Sequence, residues 1–346
     1  MFSYSGYLTF FRVQVSKGFM AQPTMGLAAR LAYVQKLKLR GFDYPVPPYG
    51  GLAFRSFSSV SAQTQFDNFV ERVYQSLGHA YLPIYRMADG EFSFLVGWRA
   101  STAPQRGMHA IPYYLRQIAS QLRRQVLGHT SSTIWGEVYT QAEKARAQRI
   151  MQQGIRHIAE HGILALYFAQ RADHWGEQYV RPVCDWFDSY GVRVVDSNYI
   201  PFYSVYALLN GPSRVRLYDG KHILVITHLT ETRKSAIYRS LMQEGVASAR
   251  FYEISSNHSM FDHIDVATIQ QPVDLVLVAA GIGSVNILQQ LELLSVPCID
   301  CGISLDCLVD FNRRLERPFL LDNERIRTYQ VDIRSLRFLK QTGVQE

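Results

Sequence analysis

Residues 273–300, VDLVLVAAGIGSVNILQQLELLSVPCID, decide the fold class. The run 273–280 is the most apolar in the chain and has the length of a strand buried on both faces. Gly281-Ile282-Gly283-Ser284 interrupts it, after which Val285, Ile287, Leu288 and Leu291 recur at helical spacing. Apolar residues return at 296–300 as a second strand. A strand, a helix and another apolar strand within 28 residues read as a βαβ unit, which demands parallel pairing. The same rhythm precedes it: a strand at 223–227, a helix at 231–244, a strand at 249–254. The expectation is an α/β chain with a Rossmann-like, doubly wound, mostly parallel sheet flanked by helices.

Further towards the N-terminus the pattern is looser. Residues 81–87 read as a buried strand, preceded by a helix at 64–78 with Phe66, Phe69, Val70 and Val73 on one face. Residues 99–110 read as a loop. Ile111, Leu115, Ile118, Leu122 and Val126 then mark an amphipathic helix. A charged helical region at 137–160, a strand from Gly162, a helix at 175–190, a strand at 192–196 and a short aromatic helix at 203–210 complete that half. Residues 1–60 form a helical N-terminal extension, with helical spacing at 25–39 and the Pro/Gly-rich linker YPVPPYGG at 44–51. The main domain is expected at 61–330 and a tail at 331–346.

The 346-residue chain is 47% hydrophobic and 19% charged, a globular composition long enough to bury a large core. Its 36 Lys+Arg against 29 Asp+Glu give a formal charge of +7, which favours anionic partners. The basic residues are dispersed, and no tract reads as a nucleic-acid arm. Cys298, Cys301 and Cys307 lie close together, but VPCIDCG reads as a strand in which cysteine behaves as a small hydrophobe. With Cys184 they read as reduced structural thiols in a cytoplasmic protein. No signal peptide or membrane-spanning run is evident. The aromatic, basic first forty residues leave a peripheral contact with the inner membrane open, and a homo-oligomer is open as well.

Four strand-to-helix junctions carry candidate chemistry. At Ala88-Asp89-Gly90-Glu91 two carboxylates flank a glycine where the strand at 81–87 hands over to a helix. In an extended turn both can point the same way and share one divalent cation, while Gly90 leaves room for a ligand. The bland alternative, equally weighted, is that one acid caps the helix and the other is solvated. At Gly281 and Gly283, backbone N–H groups can approach a phosphate, or the glycines serve only a tight turn. At 227–234, Thr232, Arg233 and Lys234 open a helix, where cations oppose the helix dipole and an anion would relieve them, or the side chains simply face solvent. Asp300 ends a strand and either orients a substrate hydroxyl or caps the helix that begins near Ser304.

Taken together, these segments resemble a known family. Arg86-Met87-Ala88-Asp89-Gly90-Glu91-Phe92 resembles the R-x-G-D-G-E-[LF] signature of the GT-D-type bacterial glycosyltransferases. In order along the chain, residues 195–201 resemble that family's S-T-F-I-S-R-P segment, and 223–226 with Thr232-Arg233 its strand and S-R turn. Residues 276–281 resemble its L-L-L-G-P strand, and 298–302 its A-I-D-I-G-H segment. The likeness spans roughly 80–315. Ala88 stands for a family glycine, Pro201-Phe202 for S-R, and Ile303 for a histidine. The resemblance implies a metal-dependent glycosyltransferase with a nucleotide-sugar donor and a glycan, lipid-linked or protein acceptor. Asp89 and Glu91 would hold Mn²⁺ or Mg²⁺, with Arg86 bracing them. Gly90, Thr232, Arg233, Gly281 and Gly283 would contact the donor, and Asp300 is the nearest candidate for a base. A non-catalytic nucleotide-binding protein on the same scaffold, or a metal-dependent phosphohydrolase, are the alternatives.

Overall fold

A computed structural model describes residues 62–96, 131–132, 138–167, 177–211 and 213–310. The N-terminal extension at 1–60, the loop at 99–110, the helix at 111–126 and the tail at 331–346 lie outside the described residues. Seven parallel strands make one sheet: β1 (Leu82–Met87), β4 (Ile163–Leu166), β5 (Tyr199–Pro201), β6 (His222–Thr227), β7 (Ser248–Glu253), β8 (Leu275–Ala279) and β9 (Pro297–Asp300). A two-stranded antiparallel pair, β2 (Ser131–Ser132) and β3 (Val138–Tyr139), stands apart. The spatial order is β5-β4-β1-β9-β8-β6-β7, so the chain builds leftward from β1, jumps to the far side, and returns to close beside its first strand. The doubly wound α/β reading is what the structure shows.

The strands form where their residues are buried on both faces. All five side chains of β8 and all six of β1 are buried, as a sheet covered by helices on both sides requires. Alternation sorts them: Leu82 and Ile84 pack in one core, Tyr85 and Met87 in the other. One face is covered by α2 (Asp89–Val96), α3 (Gln141–His161), α4 (Glu177–Ser189) and α8 (Ser284–Gln290). The other is covered by α1 (Ala62–Ser76), α5 (Tyr203–Asn210), α6 (Arg214–Tyr218), α7 (Glu231–Gln243) and α9 (Ser304–Val309). The longest, α3, begins with a full capping box: the Glu143 N–H donates to Thr140 Oγ1, and the Thr140 N–H donates to the Glu143 carboxylate. It crosses α8 closely because Gly154 has no side chain; a Cβ there would lie 2.7 Å from Val285 Cγ2.

One expected strand is absent. Residues 192–195 are irregular and 196–198 form a turn, and the ladder is taken instead by the three residues of β5. The cause is Asn198. Its Oδ1 accepts the Val195 N–H at 2.7 Å, and its Nδ2 donates to Ala159 O and Arg193 O. A side chain that satisfies the backbone in this way competes with sheet pairing. No helix among the described residues is long and apolar enough to cross a membrane.

Candidate functional site at the carboxyl ends of β1 and β9

Parallel strands put all their carboxyl ends on one edge, and in open α/β sheets ligands bind there. β1 and β9 are neighbours, and their ends bring together residues more than two hundred positions apart in sequence. Arg86, next to last in β1, is only 6% exposed. Its Nε donates to the Asp300 carbonyl at 2.8 Å and lies 3.5 Å from Asp300 Oδ2. The same Oδ2 accepts the Arg86 backbone N–H, and Oδ1 accepts the Ser284 hydroxyl at 3.0 Å. The Ala280 N–H donates in turn to Ser284 Oγ. Asp300 is therefore held by a charge, a backbone donor and a hydroxyl. It does not cap α9, one of the roles its position allows.

The guanidinium of Arg86 is placed by shape as well as charge. Its central carbon lies 5.2 Å from the ring centroids of both Phe202 and Tyr206, within cation–π range. Gly302, at φ +42°, passes so close that a Cβ would overlap Arg86 Nη2. Arg86 Nη1 is buried without a hydrogen-bond partner. Burial works against the arginine's charge, but Asp300 above all, then Tyr206, Cys301 and Glu91, raise its pKa above the ordinary value.

Glu91 sits beside this pair and corrects the expected geometry of the two acids. The segment after β1 is not an extended turn: α2 begins at Asp89, so Asp89 and Glu91 are two residues apart on a helix, positions that do not face each other. Ala88 is the cap. Its carbonyl accepts the Phe92 N–H, and its N–H donates to Glu91 Oε2 at 2.9 Å. Glu91 is 8% exposed, and burial pushes its pKa up to about 7, against the Ala88 N–H and its own N–H, which pull it down. Asp300 adds to the rise and Arg86 opposes it. The hydroxyl of Tyr85, buried and without a partner, is held protonated by burial and then by Glu91 and Asp300. Gly90 is buried between these groups in sequence.

The other sequence-predicted residues lie elsewhere. Arg233 forms an ion pair with Asp306 on α9. Lys234 is held by Glu231 at 2.8 Å and Glu253 at 3.1 Å. The cations at the start of α7 are thus already neutralised by protein carboxylates, and the expected awkwardness is relieved without a ligand. Thr232 lines a cavity of about 540 Å³ with Glu231, Lys234 and Phe251, away from Arg86 and Asp300. Gly281 (φ +56°) opens a single 3₁₀ turn, which its left-handed backbone requires. Gly283 faces protein: a Cβ would overlap Ser259, whose hydroxyl donates to the Ala280 carbonyl. The structure brings Arg86, Glu91 and Asp300 together, and among the described residues no hydrogen bond or ion pair joins Thr232 or Arg233 to them. It adds Ser284, Tyr85, Phe202 and Tyr206, which sequence reasoning did not select; only the Gly-Ile-Gly-Ser turn carried a signal for one of them.

Among the described residues no group of three or more His, Cys, Asp or Glu could hold a metal. The four cysteines are buried and none forms a disulfide. A divalent cation here would draw much of its coordination from phosphate oxygens and water, the common arrangement for Mg²⁺. Glu91 fits that demand. It is a hard oxygen donor, and the nearest cation, Arg86, is already committed to Asp300.

No protein-family model matches the sequence, and no curated protein matches it. Among solved structures the chain is similar to the selenomethionine-substituted structure of the domain of unknown function 1792. The two share 14% identity and a TM-score of 0.38 over 68% of this chain and 82% of that one. A second structure of that domain, described as having a distinct glycosyltransferase fold, is similar at 13% identity and a TM-score of 0.38, over 72% and 86% of the respective chains. Overlap at this level carries no argument about chemistry, which has to come from the site's own residues.

Proposed function

We propose that this chain is a metal-dependent glycosyltransferase of the GT-D type, moving a sugar from a nucleotide-sugar donor to an acceptor hydroxyl on a glycan, lipid-linked carrier or protein. The observation that carries the reading is the buried Glu91 carboxylate beside the Arg86–Asp300 pair, at the carboxyl end of the central strand. That placement matches the Asp-Gly-Glu motif to the edge of the sheet where α/β proteins bind ligands.

In the reaction, the acceptor oxygen bonds to the anomeric carbon as that carbon's bond to the diphosphate breaks. The nucleoside diphosphate leaves with the electron pair, and one proton is released overall. Mn²⁺ or Mg²⁺, when bound, would offset the charge that builds on the departing diphosphate. Glu91 would supply an oxygen ligand, and diphosphate oxygens and water would complete the coordination. Burial raises the cost of leaving Glu91 charged and unpaired, so cation binding is favoured. Asp300 anchors Arg86, whose unpartnered Nη1 is the donor left for a phosphate oxygen. Ser284 fixes the Asp300 rotamer. Gly90 keeps the first turn of α2 free of a side chain.

The second reading is nucleotide binding without transfer. It is favoured by the burial of Asp300, which is 4% exposed and already pairs with Arg86 and Ser284, an unfavourable position from which to reach an acceptor hydroxyl. Incubating the full chain with a panel of nucleotide sugars and Mn²⁺ separates the two. Glycosyl transfer predicts release of nucleoside diphosphate, reduced at least a hundredfold by Glu91→Gln with the fold intact by circular dichroism. Tight uptake of nucleotide with the donor intact supports the binding protein. Release of inorganic phosphate points to a hydrolase, and unaltered turnover in Glu91→Gln removes Glu91 from the mechanism.

A further inference from the structure

The opposite edge of the sheet, where β4 and β5 begin, holds a second cavity of about 660 Å³. Its walls are fixed backbone. Gly162 lies against the Pro83 carbonyl, leaving no space for a Cβ. The irregular segment 192–198 is pinned by Asn198, and the Val192 N–H donates to the Phe187 carbonyl at 2.8 Å. Where a strand would have run flat along the sheet, this segment turns away and leaves a hollow. Gly191, at φ +64°, borders its open side, where a Cβ would meet nothing within 4 Å.

Three arginines line this cavity, Arg72, Arg156 and Arg193, against one acid, Glu160. Arg72 Nη1 donates to the Ser197 carbonyl at 2.5 Å, and Arg156 Nη2 to the Tyr190 carbonyl at 2.6 Å. Each guanidinium has five N–H donors, so one bond apiece fixes its position and leaves most of the donors unused. The side chain of Arg193 has no hydrogen-bond partner among the described residues, and none of the three arginines has an ion-pair partner there. Burial depresses the pKa of Arg72, the sign of a cation without a counter-ion.

The geometry points to a binding site for a small phosphate monoester, held by Arg72, Arg156 and Arg193 on the edge of the sheet opposite Glu91. Two uncompensated positive charges match the −1.5 to −2 that such a group carries near neutral pH, roughly twice a carboxylate. The planar fork of guanidinium donors suits phosphate oxygens. Among the described residues no aromatic side chain lines the cavity, which suits a sugar phosphate or similar polar monoester. The site does not depend on the glycosyltransferase reading.

Isothermal titration of the full chain with glycerol 3-phosphate, without divalent cations, tests it. The expected result is saturable one-site binding that weakens at least tenfold in Arg193→Glu and disappears in the Arg156→Ser/Arg193→Ser double variant. Glu91→Gln should bind as the wild type does, which separates this site from the proposed donor site. Circular dichroism confirms the folds, and the exposed Arg193 keeps the single variant informative if the double one unfolds. Unchanged affinity in Arg193→Glu, loss of binding in Glu91→Gln instead, equal affinity for succinate, or no saturable heat would each overturn the inference.

Discussion

Two strand ends in this sheet carry the same kinds of charged residue and treat them in opposite ways. After β1, Arg86, Glu91 and Asp300 are all less than 10% exposed and locked to one another or to the backbone. After β6, most of the charges stand in solvent: the side chain of Arg233 is 54% exposed, and those of Glu231 and Glu253, which hold the buried Lys234, are 84% and 75% exposed. Both ends follow an apolar strand and open a helix, so local pattern scarcely separates them. What separates them is the cover supplied by Phe202, Tyr206 and the aromatic residues of β1 and α2. Charges that water screens are tolerant of change, whereas charges removed from it must be matched or neutralised.

The largest effect should come from breaking the buried pair. Arg86→Ala leaves the Asp300 carboxylate without its cation, and a loss of about 3–5 kcal/mol is expected by urea unfolding. Converting both to apolar residues, Arg86→Met with Asp300→Leu, should recover part of that loss, because the stranded charge is gone. A loss under about 1 kcal/mol for Arg86→Ala would place this pair with the solvent-exposed ones.

The pH dependence comes next. Glu91 has a pKa of about 7 in the fold against 4.5 for the ordinary side chain, so the folded state binds the extra proton between those values. Stability from this group is therefore greatest below about pH 4.5 and declines as pH rises to about 7. Glu91→Gln, which keeps the shape of the protonated acid, removes that dependence. The stability of the wild type relative to the variant should fall across the window by on the order of 1–3 kcal/mol. A difference that does not vary with pH would contradict the burial of Glu91.

The smallest effect belongs to the exposed end. Arg233→Ala removes an ion pair open to solvent and should change the unfolding free energy by no more than about 0.5 kcal/mol.

The fold was largely legible because the strands announce themselves: Leu275-Val276-Leu277-Val278-Ala279 is buried throughout, and such a run has few other uses. The miss at 192–196 came from a single side chain. Nothing in that alternating apolar pattern tells that Asn198 will take the Val195 N–H for itself. The site was half legible. Asp-Gly-Glu at the end of a strand marks the place, but the pairing of Arg86 with Asp300 spans 214 residues and depends on β9 returning beside β1. Sequence spacing also suggested an extended turn for Asp89 and Glu91, where capping by Ala88 starts a helix at once. The glycines at 281 and 283 allow a phosphate approach or a tight turn, and in the fold one serves a left-handed turn and the other makes room for Ser259. Long-range packing decides such cases, and it leaves no local trace.

The central claim is that Glu91 helps hold a divalent cation against a diphosphate at the end of β1. Electron paramagnetic resonance of Mn²⁺ reads it directly, since the sharp signal of the free ion disappears on binding. With wild-type protein and uridine or guanosine diphosphate added together, the free signal should fall saturably, and Glu91→Gln should leave it nearly intact under the same conditions. An equal fall in the variant, or none in the wild type with any nucleoside diphosphate, would contradict the account.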